Sequence, residues 1–171
     1  TLLPTLEDGT PLCSLEALRK EPHAWPKLWK HHGAQAQADR VTKIAAETQQ
    51  PWLLRYGGIV SSEWLLPKAL EILDEKPAIY AKAKYIVEGA DWVIWQFTNK
   101  LIRNTCCAGY KGTWQKEEGF PDPSFLERLH PGLSYLFTSK VAGPLYSPGT
   151  KVGSLSETWA KKLGLSQKCA V

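Results

Sequence analysis

The sequence predicts an α/β fold, and three observations carry that expectation. Stretches with apolar residues at helical spacing alternate along the chain with short runs of β-formers. Neither kind of segment recurs as a repeat, and no low-complexity tract interrupts them. The length, 171 residues, suits one domain or one domain with an appended piece.

Each element has its own signal. Thr1 to Leu12 reads as a strand, a turn at Glu7-Asp8-Gly9 and a second strand, a hairpin weakened by Pro4 and Pro11. Cys13 to Pro26 is irregular. Lys27 to about Thr48 reads as a helix, with Trp29, Ala36 and Ile44 on its apolar side. Gln50 to Val60 reads as a loop containing Gly57-Gly58. Ser61 and Ser62 are N-cap candidates for a helical segment to about Asp74, with a second start near Pro67 because proline is tolerated only in a first turn. Pro77 starts a short helix to about Lys84, Tyr85-Ile86-Val87 is a strand, and Asp91 begins a helix through Phe97. Leu101 to Trp114 reads as extended and then turning. Phe125 to Leu129 is a short helix opened by Pro121 to Ser124 and ended by His130-Pro131-Gly132. Lys140 to Val152 is extended and loop-rich. Ser156 caps a last helix, Glu157 to Leu163, stopped by Gly164.

Composition excludes several classes. The hydrophobic share is 43% and the charged share 22%, ordinary for a globular chain. No run approaches the ~20 apolar residues that cross a bilayer, and no signal peptide is visible. The net charge is +4, but the lysines are scattered among acids, which argues against a nucleic-acid surface. Cys13, Cys106, Cys107 and Cys169 fit neither a zinc site nor a disulfide framework, so reduced thiols in a cytoplasmic protein are expected. Methionine is absent, including at position 1, and Cys169-Ala170-Val171 looks like the start of a strand, so a fragment of a longer chain is expected.

Three segments invite a chemical reading. Ile102 to Trp114 joins small residues, two aromatics and Lys111; small residues let a ligand approach the backbone, and an ammonium offers charge and three donors. The alternative is a solvated lysine in a turn. Trp29, beside Lys30 at the expected helix start, is either an indole face for a sugar ring or a core anchor. Glu63, after the serine caps, either lines a cleft or steadies a first helical turn. There is no G-x-x-x-x-G-K-[ST], G-x-G-x-x-G or H-E-x-x-H, and the vicinal His31-His32 pair diverges too far on a helix to share a metal.

In order and separation, Leu28-Trp29-Lys30-His31-His32, Tyr56-Gly57-Gly58-Ile59-Val60-Ser61-Ser62-Glu63-Trp64 and Cys106-Cys107-Ala108-Gly109-Tyr110-Lys111 with Trp114 resemble the FGGY carbohydrate kinase family. Gly153 to Leu165, with Glu157, Ala160, Lys162, Leu163 and Gly164, resembles the stretch just before that family's catalytic aspartate. The resemblance covers essentially the whole chain. It implies two actin-like, ribonuclease H-like domains, of which residues 1–171 match part of the N-terminal, sugar-binding one. It implies transfer of the γ-phosphoryl of ATP to a sugar hydroxyl with magnesium and an aspartate base. L-ribulose, from arabinose breakdown, is the sugar implied; another pentulose or pentitol, or a non-catalytic sugar-binding module on the same scaffold, is the alternative.

By the same resemblance, Lys111 falls at the lysine that hydrogen-bonds the sugar, Trp29 at the tryptophan that walls its pocket, and Glu63 within a matching segment. Where many members carry an acid in a W-x-D pattern, this chain has His31, so no acidic contact is implied there. The phosphate-binding D-x-G-T segment is expected before Thr1, the catalytic base after Val171, and the ATP-binding domain beyond. No catalytic residue is therefore assigned here, and residues 1–171 alone are expected to be inactive. Partners implied are a small sugar and the remainder of the kinase; a homo-oligomer is left open, and neither nucleic acid nor membrane is expected.

Overall fold

A computed structural model describes residues 1–171. The N-terminal strand β1 (Leu2–Thr5) finds its partner far along the chain, pairing antiparallel with β2 (Tyr85–Glu88), Leu2 opposite Glu88 and Thr5 opposite Tyr85. The expected hairpin is only half formed. The chain turns at Gly9, but the second strand shrinks to one bridge between Thr5 and Pro11. Proline has no N–H to extend a ladder, whereas Ile86 and Val87, both fully buried, bring apolar side chains to β1.

The helix expected from Lys27 starts eight residues later, as α1 (Gln35–Glu47). Lys27 is committed elsewhere: its N–H donates to the Leu2 carbonyl at 2.7 Å, and its carbonyl accepts from Leu2 N–H at 3.0 Å. That bridge holds residues 27–34 in an irregular path along β1, so Trp29 lies in a loop and not at a helix start. The stretch read as a loop from Gln50 contains α2 (Pro51–Arg55), after which Gly57 and Gly58 take left-handed backbone with φ of 72° and 79°.

The serine-led segment behaves as its two signals require. Residues 61–64 form a turn in which Ser61 Oγ accepts from Glu63 N–H, and α3 (Leu65–Glu75) follows with Pro67 in its first turn. Then come α4 (Pro77–Lys82), β2, and α5 (Gly89–Thr98). The segment read as extended forms one short strand, β3 (Arg103–Asn104), and then a helix, α6 (Thr105–Gly112). The remaining elements are α7 (Pro123–Leu129), β4 (Leu145–Tyr146), which pairs parallel with β3, and α8 (Glu157–Leu163). Between α7 and β4 lie a 3-10 turn, Pro131–Leu133, and a π turn, Leu136–Lys140.

The core is centred on α3. Leu65, Leu66, Ala69, Leu70, Ile72 and Leu73 all join one buried apolar cluster with residues of α1, α2, α4, α7 and the π turn. No helix is long and apolar enough to cross a membrane.

Candidate functional site

A helix buried on every side has no solvent face for its polar residues, and α3 carries two such residues one turn apart. Lys68 is 1% exposed and Glu71 3%. Buried charges must be paired, and both pairings run to the loop of residues 27–33. Lys68 Nζ donates to the Leu28 carbonyl at 2.7 Å. Glu71 Oε1 lies 2.9 Å from His31 Nε2, and Oε2 lies 3.5 Å from Lys27 Nζ. Gly33 is required beneath this pair: a Cβ there would stand 2.6 Å from Glu71 Oε1 and 2.7 Å from the His31 ring.

The opposite wall is α6. Asn104 caps it, Oδ1 accepting from Cys107 N–H at 2.7 Å, while Asp91 Oδ1 accepts from Asn104 N–H at 3.0 Å and from Asn104 Nδ2 at 2.5 Å. Arg103 is buried beside them and donates to the carbonyls of Ile86, Lys140 and Ala142. From its base, Tyr56 donates a hydroxyl hydrogen bond to the Gly109 carbonyl. This scaffold presents Lys111 in the last turn of α6. Its ammonium lies 3.0 Å from Glu88 Oε2 and 4.9 Å from the centroid of the Trp29 indole.

Lys111 and Trp29, on segments 82 residues apart in the chain, are thus brought together. Tyr110 lies stacked beside Trp29, ring centroids 6.0 Å apart and planes 10° apart, and is followed by Trp64 at 6.3 Å. Trp29 keeps 42% of its surface exposed and Tyr110 55%, so the aromatic wall is open to solvent. Glu63 does not join Lys111 directly; its carboxylate lies 3.7 Å from His32 Nε2. The vicinal histidines lie in the irregular stretch before α1 and not on the expected helix; their side chains part, His31 to Glu71 and His32 to Ser62 and Glu63.

The charges are mutually dependent. Burial pulls the Lys68 ammonium below the ordinary lysine value, opposed by the carboxylates of Glu88, Glu63 and Glu71. Burial acts against Lys111, but the ion pair and hydrogen bond with Glu88, together with Cys107 and the chain N-terminus, outweigh it and hold Lys111 above the usual value, charged. Burial pushes the Cys107 thiol up, so it stays protonated. An indole wall edged by a fixed ammonium can take the apolar face of a sugar ring and donate to its hydroxyls.

Several participants are not legible from the sequence around them. Glu88 carries no local signal, and Tyr110 stands out only as one of the two aromatics of the Ile102–Trp114 segment. Lys68 and Glu71 do carry one: two charged residues three apart, inside a stretch otherwise apolar all round, must pair within the fold.

Comparison with known proteins places the fold. No protein-family model matches the chain. Among solved structures, a gluconate kinase from Lactobacillus acidophilus superposes with a TM-score of 0.63 at 17% identity, covering 83% of this chain and 27% of that one. A ligand-bound xylulose kinase from the same organism gives 0.62 at 16% identity, with 83% and 27% covered. The chain therefore shares the fold of part of these sugar kinases, an α/β fold as the sequence led one to expect.

In sequence the chain is closer to one kind of sugar kinase. It is 46% identical to the ribulokinase of Bacillus licheniformis, 45% to that of Shouchella clausii and 43% to that of Mycolicibacterium smegmatis, each over all 171 residues. It is homologous to ribulokinases from its first residue to its last, and it spans 30–31% of the length of these relatives.

Proposed function

We propose that this chain is the sugar-binding part of the N-terminal domain of a cytoplasmic, ATP-dependent kinase that phosphorylates L-ribulose in arabinose breakdown. The relatives that match it throughout are named ribulokinases, and the observation that carries the reading is the Lys111 ammonium fixed 4.9 Å over the Trp29 indole. In this reading Trp29 walls the sugar, Lys111 donates to a hydroxyl, and Glu63 accepts from another at the rim. Phosphoryl transfer rests mainly on positioning, so a rigid ammonium and indole hold the pentulose while the base and the nucleotide act from other parts of the enzyme.

ATP supplies the phosphoryl group and magnesium its charge neutralisation. The residues here do not fit either as a dedicated site: no three His, Cys, Asp or Glu side chains converge, and the buried carboxylates Glu71 and Glu88 are already ion-paired. Both are assigned to the rest of the kinase, and residues 1–171 alone turn over no sugar. Lys111→Ala in the full-length kinase is expected to lower kcat/KM for L-ribulose by about 1–3 kcal/mol, from loss of a charged hydrogen bond. Unchanged kinetics would remove Lys111 from the site. D-ribulose and D-xylulose, assayed beside L-ribulose, identify the preferred pentulose.

A further inference from the structure

Lys111 and Trp29 come from elements with no covalent reason to meet, and what makes them meet is the interior of α3. Lys68 lies buried within α3, with no carboxylate in direct contact. The carboxylates of Glu88, Glu63 and Glu71 favour its charge through the field they set up, and the Lys111 ammonium opposes it. Its one hydrogen bond goes to the carbonyl of Leu28, the residue before Trp29. One helical turn on, Glu71 takes Lys27 and His31 on either side of Trp29. The loop is therefore gripped at residues 27, 28 and 31 by two side chains of one rigid helix. The grip admits no slack, because Gly33 already sits against the Glu71–His31 pair.

We propose that Lys68, together with Glu71, is the positioning residue of the sugar site: its buried ammonium fixes the Leu28 carbonyl and so sets the Trp29 indole against Lys111. Neither side chain touches the sugar in this arrangement. A nearly fully buried lysine is a costly way to hold a loop where an apolar residue would pack, and the return is orientation. The donor to Leu28 has a fixed direction, which an apolar contact lacks. The proposal rests on the reading of Lys111 and Trp29 as sugar-binding residues.

The test uses the full-length kinase with three variants and both substrates. Lys68→Met keeps the apolar stem and removes the ammonium. It is expected to raise KM for the pentulose roughly tenfold while KM for ATP stays unchanged, the mark of a misplaced wall and not of general loosening. His31→Ala, at the half-exposed end of the grip, is expected to raise pentulose KM in the same direction by roughly threefold, and it carries the test if Lys68→Met does not accumulate. A pentulose KM unaltered in His31→Ala and Lys68→Met overturns the proposal. So does a parallel rise in both KM values with a lowered Tm, which assigns Lys68 to stability alone. Lys111→Ala is the control: if it also leaves pentulose KM unchanged, the site itself has been misassigned, a failure distinct from that of Lys68.

Discussion

Asp91 shows how one buried side chain ties the site to the fold. It is 3% exposed and accepts twice from Asn104, the residue that caps α6. Burial raises its pKa from the ordinary aspartate value, although the Asn104 donors and Arg103 pull the other way. The sign of the consequence follows. A carboxyl whose folded pKa exceeds its unfolded value, about 3.9, binds a proton more readily when folded, so its contribution to stability falls as pH rises through that window. Asp91→Asn keeps an acceptor for Asn104 and removes the titration. Thermal unfolding followed across the acid range should show a shallower loss of Tm with rising pH in the variant; equal slopes would mean Asp91 does not titrate there. Arg103, by contrast, is pulled down by burial to about 10 and remains charged at neutral pH.

At the scale of elements, α6 is the informative one. Thr105-Cys106-Cys107-Ala108-Gly109-Tyr110-Lys111-Gly112 is poor helical sequence, with two glycines and two cysteines in eight residues. Propensity reads it as extended. The helix exists because Asn104 caps it and because Gly112 packs where a Cβ would stand 3.3 Å from the Phe120 ring. The Asn104 cap was the one sequence signal available. Asn104→Ala should cost about 1 kcal/mol of stability and weaken sugar binding through Lys111; a lower Tm with intact sugar KM would separate the cap from the site. Elsewhere local signals sufficed. Gly164 ends α8 (Glu157–Leu163) in left-handed backbone as expected, and Tyr85 to Glu88 is the strand its β-formers announce. Ser156 stands at the N-cap position but does not cap, its buried Oγ having no partner while its N–H donates to the Phe97 carbonyl. The Lys27 helix fails because long-range hydrogen bonds, here to Leu2, outweigh local preference.

At the scale of the whole molecule, α3 is both the centre of the core and the support of the site. Leu70 is fully buried at its middle. Leu70→Ala should cost about 2–5 kcal/mol, read by denaturant unfolding, and it should raise pentulose KM as the α3 supports of Trp29 shift. A large stability loss with unaltered KM would show that core and site are energetically separate. By itself the sequence determined the α/β class, the punctuation of most helices by proline, serine and glycine, and, through the order of its aromatic, glycine and lysine segments, its likeness to the sugar kinases. Those are properties of neighbouring residues and of their spacing. Only the tertiary structure decided that β1 pairs with β2, that Trp29 meets Lys111, and that Lys68 and Glu71 hold the loop between them. Each of those contacts joins residues 40 or more positions apart and depends on which surfaces are buried together, so no local pattern could carry it.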